Sequence, residues 1–201
     1  FAHTNTEVTD YKRYLDLKTA ISGVSYKYKD VTYTREYFVS YPDRALVIRL
    51  DADTDGALSF TLRPTIPYKQ SYKAFKGDNI TKSGTVTSSV KSGVGEIELA
   101  GNMGFYGVDF LGIYRIYASG GKVIASTANH SYKDTDGTEI TDTDGTISVE
   151  GARSAYIVVT LGTDYELSSD VFTSPEADKP TKKTTLEDTR VKVYGYMSAI
   201  E

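Results

Sequence analysis

The chain has 201 residues, of which 39% are hydrophobic and 25% are charged, as in an ordinary water-soluble globular domain. Its 23 Lys and Arg residues and 27 Asp and Glu residues give a net charge of −4, which argues against a nucleic-acid-binding surface. No apolar run approaches the ~18 residues of a membrane span. There is no Cys for a disulfide or a thiolate site, and two histidines exclude zinc sites built from several His ligands. These counts predict one large domain.

Apolar and polar residues alternate along the first third of the chain, as in strands with one buried face. Residues 24–28 and 31–41 are separated by Lys29 and Asp30, which predicts a β-hairpin. The apolar run at 45–50 predicts a strand covered on both faces, and residues 57–62 predict the next strand. Strands so close together in sequence indicate antiparallel pairing, since parallel strands need long crossovers.

Strands are also predicted in the rest of the chain. Residues 64–84 are rich in Lys, Ser and Tyr without a clear period, and we interpret them as a long loop or an insertion. The strands predicted beyond this region are 85–90, 96–99, 105–117, 122–127, 146–149 and 155–161. Residues 122–127 are predicted to pair with the aromatic strand before them across Gly120 and Gly121. The fold class predicted is all-β, a large antiparallel β-sandwich (supersandwich) with a short C-terminal helix.

The C-terminal residues divide the chain further. Residues 168–185 are polar, contain two prolines and predict an exposed linker. Thr185 has the character of a helix cap. The helical stripe that follows, at spacings of four and three, consists of Leu186, Arg190, Val193, Met197 and Ile200. We therefore predict a β-sandwich domain over 1–167, a polar linker over 168–185, and the start of a linker helix over 186–201.

Three Asp-Thr-Asp-Gly motifs are candidate calcium ligands, at 53–56, 134–137 and 142–145. Closely spaced carboxylates with a Gly suit an oxygen-ligand loop. The EF-hand register fails, however, because Tyr132 and Ile140 would occupy the first ligand positions of the last two motifs. Asp and Gly also favour tight turns, so we interpret all three motifs as turns, with a very short strand between the last two.

Candidate catalytic residues are few. Glu96 and Glu98 point to one side of a strand, but glycosidic cleavage needs a second carboxylate facing the first across a gap, so we interpret them as a solvent-facing pair. There is no Gly-x-Ser-x-Gly motif, His130 lies in a predicted polar loop, and His3 lies in an irregular N-terminal stretch. No strand-to-helix phosphate loop contains the glycines Gly101, Gly104, Gly107 and Gly112. We predict no catalytic, cofactor-binding or metal-binding residue in this chain.

The 17 Tyr residues, beside no Trp, are the unusual feature of the composition. Tyr suits half-buried strands, and we prefer that interpretation. Exposed Tyr rings also suit sugar-binding faces. On the predicted aromatic strand, Tyr106 and Tyr114 share one face and Tyr117 lies on the other. A stand-alone carbohydrate-binding or surface interaction module is therefore the alternative, and a fragment that self-associates through unpaired sandwich edges is a third hypothesis.

One segment is more specific than any strand pattern. Residues 8–20 read Val-Thr-Asp-Tyr-Lys-Arg-Tyr-Leu-Asp-Leu-Lys-Thr-Ala. This segment resembles the Tyr-x-Arg-x-Leu-Asp-Leu-x-x-Ala segment of family 95 glycoside hydrolases, the α-L-fucosidase family. Similarity to that family in order and spacing continues at 24–26, 31–38, 40–43, 46–50, 120–123, 149–155 and 163–165. It is strongest over residues 8–62, and residues 64–100 depart from it.

The resemblance implies that the chain is most of the N-terminal sandwich of a larger enzyme, without the sandwich's first strands. In that family an (α/α)6 barrel follows the sandwich and removes terminal α-L-fucose, or a related galactose, with inversion. The catalytic Glu and Asp lie in the barrel, so none is carried over and this chain alone is expected to be inactive. The implied partners are the catalytic (α/α)6 barrel of the same parent chain and the glycan substrate bound by that barrel, with no cofactor, nucleic acid or membrane span. A bacterial, extracytoplasmic protein (secreted, periplasmic or cell-surface) is the corresponding expectation.

Overall fold

The computed structural model describes residues 3, 7–66, 72–73, 79–80, 82–103, 108–134, 136–165, 169, 173 and 186–200. The strands in these residues are β1 (Val8–Asp16), β2 (Ile21–Tyr28), β3 (Val31–Ser40), β4 (Ala45–Ala52), β5 (Leu58–Leu62), β6 (Tyr72–Lys73), β7 (Asn79–Ile80), β8 (Lys82–Lys91), β9 (Val94–Met103), β10 (Val108–Ser119), β11 (Lys122–Lys133), β12 (Glu139–Ala152) and β13 (Ser154–Thr163). A helix, α1 (Leu186–Ser198), follows them. The all-β prediction with a short C-terminal helix is confirmed.

Eight strands form the larger sheet, in the order β1-β2-β3-β4-β13-β10-β9-β8. Its neighbouring strands are all antiparallel. β1 to β4 form one meander, β8 to β10 form another, and β13 joins the two. A smaller sheet has the order β11-β12-β5, and β6 pairs with β7.

Two turns show why the chain reverses where it does. Lys29 and Asp30, between β2 and β3, have φ angles of 46° and 66°, as the two central residues of a type I′ hairpin turn require, so the predicted hairpin is confirmed. Gly120 and Gly121 also have positive φ, but they carry the chain out of the larger sheet. The prediction that residues 122–127 pair with the aromatic strand is wrong. β11 pairs with β12, because β13 and β9 already occupy both sides of β10.

The main core lies between the two sheets. Ile147 and Val149 of β12 and Leu58 of β5 face Ile97 and Ile116 of the larger sheet, and all five are fully or almost fully buried. The inward residues alternate with outward ones along each strand, as sandwich packing requires. This alternation is the pattern from which most of these strands are predicted.

A second core lies on the outer face of the larger sheet, beneath α1. Val193 and Met197 of the helix pack there against Leu111, Ile113 and Val158. The predicted helical stripe is confirmed at Val193 and Met197, and Leu186 and Ile200 pack at the margins of the same cluster. No helix in the described part of the chain is long and apolar enough to cross a membrane.

Several local predictions differ from the structure. Residues 142–145 lie inside β12 rather than in a turn, whereas Gly56 and Gly137 of the other two motifs have the positive φ of turn residues. Gly145 is required by packing, because a Cβ there would lie 2.5 Å from the backbone nitrogen of Ser88 on β8. β1 has no counterpart among the strands predicted from periodicity. Most of residues 67–81, and residues 168–185 apart from Ser169 and Thr173, lie outside the described residues, as does the predicted cap Thr185.

Candidate functional site

A cluster of charged side chains lies where α1 crosses the outer face of the larger sheet. Glu96 and Glu98 of β9 point outward together because alternate residues of a strand share a face. Arg115 projects beside Glu96 from the neighbouring position of β10. Arg190 and Tyr194 are four residues apart and therefore lie on one side of α1. We call these five residues the helix clamp.

Hydrogen bonds connect all members of the helix clamp. Arg190 donates from Nη2 to Oε1 of Glu98 at 2.7 Å and from Nε to Oε2 at 3.2 Å, which is the two-pronged geometry of a strong Arg–carboxylate pair. Arg115 Nε lies 2.8 Å from Oε2 of Glu96. The Tyr194 hydroxyl lies 2.9 Å from Oε1 of Glu96 and 3.2 Å from Oε2 of Glu98. The two carboxylates thus share one phenol between them.

These contacts perturb the ionisation of the helix residues. Burial raises the pKa of the Tyr194 phenol well above its ordinary value, and its hydrogen bond to Glu96 and the negative charges of Glu96 and Glu98 raise it further. Hydrogen bonds to Glu98 and Glu187 raise the pKa of Arg190. Both shifts keep Arg190 charged and Tyr194 neutral, the states in which each holds the carboxylates.

The helix clamp is built for attachment rather than for glycosidic cleavage. A pair of cleaving carboxylates must flank the bond of a bound sugar. Here the Tyr194 hydroxyl occupies the space between Glu96 and Glu98, and Arg190 holds Glu98 at both oxygens. The prediction that both residues share a strand side is confirmed. Their interpretation as a solvent-facing pair is wrong, because α1 covers them with partners that lie more than ninety positions later in the chain.

A polar cavity of about 360 Å³ opens beside the helix clamp, at the β8–β9 hairpin. Its lining consists of Ser89, Lys91, Ser92, Val94, Glu96 and Arg115. The carboxylate in this lining, Glu96, is already ion-paired with Arg115 and hydrogen-bonded to Tyr194. The described lining therefore offers cationic and hydroxyl groups but no uncommitted carboxylate for acid–base chemistry.

The two histidines lie outside the elements that carry the helix clamp. His130 lies within β11, opposite Asp142 of β12 and with its ring 5.7 Å from that of Tyr132, so its placement in a polar loop is wrong. Nδ1 of His3 lies 2.8 Å from the Tyr26 hydroxyl, and its ring stacks on Tyr28 at 4.2 Å. Burial lowers the pKa of His3, which favours the neutral form of the ring in this aromatic contact.

The acidic motifs and the described glycines lie in strands and turns, and they do not form a ligand site in the described part of the chain. Asp144 of the third motif is buried 3.9 Å from Arg63. Across the described ranges, no group of three or more His, Asp or Glu side chains is placed to hold a metal ion. Gly101 lies in β9 and Gly112 in β10, while Gly104 and Gly107 lie outside the described residues.

The two described tyrosines of the aromatic strand, Tyr114 and Tyr117, do not share an exposed face. Tyr114 packs against the main core on the inner face of β10, where burial raises its pKa. Tyr117 lies on the outer face, in a groove of about 380 Å³ that it shares with Val158, Met197 and Ile200. The prediction that Tyr114 and Tyr117 face opposite ways is confirmed, and Tyr106 lies outside the described residues.

Comparison with known proteins places the sandwich in a class. Residues 2–168 match the sequence profile of the family described as "Glycosyl hydrolase family 65, N-terminal domain". A stretch of 59 residues is 39% identical to the protein named alpha-L-fucosidase 2 from the plant Arabidopsis thaliana. This stretch is 29% of the present chain and 7% of the fucosidase, so the chain matches only a small part of that relative's length.

Proposed function

Because the chain belongs to the glycosyl hydrolase family 65 N-terminal domains, we propose that it is the non-catalytic β-sandwich of a larger α-L-fucosidase of the family 95 type. The whole enzyme removes terminal α-L-fucose, or a related galactose, from glycans with inversion. The observation that carries the choice of sugar is the 39% identity to a plant alpha-L-fucosidase. The family 95 segment at residues 8–20 supports the same choice.

The proposed partner is a catalytic (α/α)6 barrel in the same parent chain, which binds the glycan. The groove formed by Tyr117, Val158, Met197 and Ile200 supports this pairing, since it presents apolar surface beside the C-terminal end of α1. Glu96 and Glu98 serve to attach α1, which leaves the acid and base of the reaction to the barrel. We further propose an extracytoplasmic location, where free glycans are encountered.

A comparison of two samples tests this function. We expect the intact protein from its source to have a mass well above the 22.1 kDa of the present chain and to release fucose from 4-nitrophenyl α-L-fucoside. Proton NMR of the first product should show β-L-fucose, the anomer that inversion produces. The 201-residue chain should release no fucose. Both samples are also tested with 4-nitrophenyl α-L-galactoside, because L-fucose is 6-deoxy-L-galactose.

Each part of the proposal has a result that contradicts it. Fucose release by the 201-residue chain would place catalysis in the sandwich. An intact mass of 22.1 kDa would favour the stand-alone module over the larger enzyme. Release of α-L-fucose first would contradict inversion, and activity on the galactoside alone would change the sugar.

A further inference from the structure

A row of side chains crosses the outer face of the larger sheet, on the side of α1 nearer to β1. Its members lie directly opposite one another on five successive strands: Tyr14 on β1, Gly23 on β2, Glu36 on β3, Arg49 on β4 and Tyr156 on β13. We call this set the tyrosine row. Strands 4.7–4.9 Å apart put the backbones of Tyr14 and Tyr156 about 19 Å apart.

Contacts within the tyrosine row fix its polar centre. The Tyr14 hydroxyl donates to Oε1 of Glu36 at 3.1 Å, and Arg49 Nη1 donates to Oε2 of the same carboxylate at 3.2 Å. The Tyr14 ring lies against the backbone of Gly23, where any Cβ would overlap it. The ring is therefore held down on the sheet, and Glu36 is held between two donors.

The same row is open to solvent at its centre and at the end nearer to α1. Tyr156 is 45% exposed, and the Arg49 side chain is 46% exposed. On β10, the position opposite Tyr156 is Tyr117, which lies in the groove at the C-terminal end of α1. The helix end therefore closes one side of the tyrosine row. A second row runs alongside it and carries small polar groups: Ser25, Thr34, Asp51 and Ser154.

The chemistry of this surface matches a sugar chain. A pyranose ring has an apolar face, which packs on an aromatic ring, and a rim of hydroxyls that both donate and accept. Tyr offers an apolar ring with a polar tip. A carboxylate accepts hydrogen bonds and a guanidinium donates several in a fixed fork, so Glu36 and Arg49 together can engage neighbouring hydroxyls. Their charges cancel, and Asp51 beside them is paired with Arg153 at 3.2 Å, which favours a neutral ligand at the centre of the row. At the far end, Lys12 Nζ lies 5.8 Å from the centre of the Tyr14 ring.

We propose that the tyrosine row binds an extended neutral oligosaccharide that runs across the strands from Tyr14 towards Tyr156. The separation of about 19 Å between the two backbones requires several sugar units, so a monosaccharide spans only part of the surface. This function goes beyond the one proposed above, because it needs neither the barrel nor a terminal fucose. It also uses tyrosines other than those of the aromatic strand.

NMR titration of the 201-residue chain tests the proposal, with cellotetraose and lacto-N-tetraose as neutral tetrasaccharide probes and L-fucose as the monosaccharide. We expect saturable shifts of the amides of Gly23, Glu36, Arg49 and Tyr156. The better tetrasaccharide should bind at least tenfold more tightly than L-fucose. Tyr156→Ala and Arg49→Gln should each weaken that binding at least tenfold. Tyr41, which is 91% exposed in the turn between β3 and β4, provides the matched control: Tyr41→Ala should change binding less than twofold.

The dispersion of the amide chemical shifts shows whether each variant is folded. If one variant fails to fold, the other still tests the proposal. Absence of saturable shifts with both tetrasaccharides would overturn the proposal. So would shifts confined to the smaller sheet, or binding that survives both Tyr156→Ala and Arg49→Gln. Concentration-dependent dimerisation that Tyr156→Ala abolishes, without sugar binding, would assign the same surface to a second copy of the chain instead.

Discussion

The side chain of Val193 on α1 lies directly over the backbone of Gly162 on β13, where a Cβ would stand 2.5 Å from Cγ2 of Val193. Val193 is fully buried, and its helix is held on either side by Arg190 and Met197. The missing side chain at position 162 therefore sets how closely the helix approaches the sheet.

We expect Gly162→Ala to push α1 away from the sheet. The added methyl meets a buried side chain that has no room to move, and overpacking of this kind costs about 1–3 kcal/mol of unfolding free energy. Urea unfolding measures the loss. The substitution should also speed amide hydrogen exchange, and the increase should be larger along α1 than in β2 and β3.

Gly195 on the same helix provides the matched control, because a Cβ there would meet nothing within 4 Å beyond its chain neighbours and the helix's own backbone. Gly195→Ala should stabilise the chain by about 0.5–1 kcal/mol, since Ala restricts the unfolded backbone more than Gly does. If Gly195→Ala destabilises the chain as much as Gly162→Ala, the close approach to Val193 is not the cause.

The Arg190–Glu98 pair should contribute measurably to stability. Arg190→Met leaves the half-buried carboxylate of Glu98 without its two-pronged partner, and we expect a loss of about 1–3 kcal/mol. Glu187, the other carboxylate bound to Arg190, is 70% exposed, and Glu187→Ala should cost less than about 0.5 kcal/mol. Equal losses from the two variants in urea unfolding would contradict this assignment.

Deprotonation of Tyr194 should lower the stability of the folded chain in alkaline solution. The pKa of Tyr194 is raised in the folded chain, so its contribution is complete below the ordinary Tyr value of 10.0 and is lost as the pH rises through the folded-state pKa. Tyr194→Phe should therefore cost about 1 kcal/mol at neutral pH, from the lost hydrogen bonds. The difference from the unsubstituted chain should narrow above pH 10.0. A difference that stays constant from pH 7 to pH 11 would contradict the raised pKa.

Substitution by Ala should destabilise the chain much more at Gly145 than at Gly112. A Cβ on Gly145 meets the backbone of Thr87 and Ser88, which cannot move aside, whereas one on Gly112 meets the tip of the exposed Leu161 side chain. We expect Gly145→Ala to cost roughly 2–4 kcal/mol, at the upper end for a single substitution, and Gly112→Ala under about 1 kcal/mol. Thermal unfolding of both variants measures the two losses of stability. A loss at Gly145 as small as that at Gly112 would mean that β12 can move away from β8.

Strands with one buried face were predictable from sequence, because burial of one face makes apolar and polar residues alternate along the strand. The pattern is clear in β2 and β3, where Tyr26 and Tyr33 point into the core. β1 lies at the edge of the sheet, is exposed along most of its length and has an irregularity between Thr9 and Lys12, so its pattern is weak. An edge strand needs little burial to be held by its single neighbour.

The contacts that define the two candidate surfaces were not predictable, because they join distant parts of the chain. Alternation places Glu96 and Glu98 on one face, but nothing local identifies Arg190 as the partner of Glu98. Composition likewise predicts a turn at residues 142–145, whereas the approach of β8 makes Gly145 a strand residue. In the tyrosine row, the alignment of Tyr14 with Tyr156 depends on four successive strand registers.

The position of β13 has a consequence for how the protein is made. A ribosome synthesises β1 to β4 and β8 to β10 before β13, so the edges at β4 and β10, which β13 later covers, are still unpaired. Pairing of β4 with β13 closes a loop of about a hundred residues, the kind of long-range contact that slows folding. Nascent chains that stop before Ser154 therefore present two separate half-sheets to chaperones and proteases, and the larger sheet becomes continuous only when its central strand emerges.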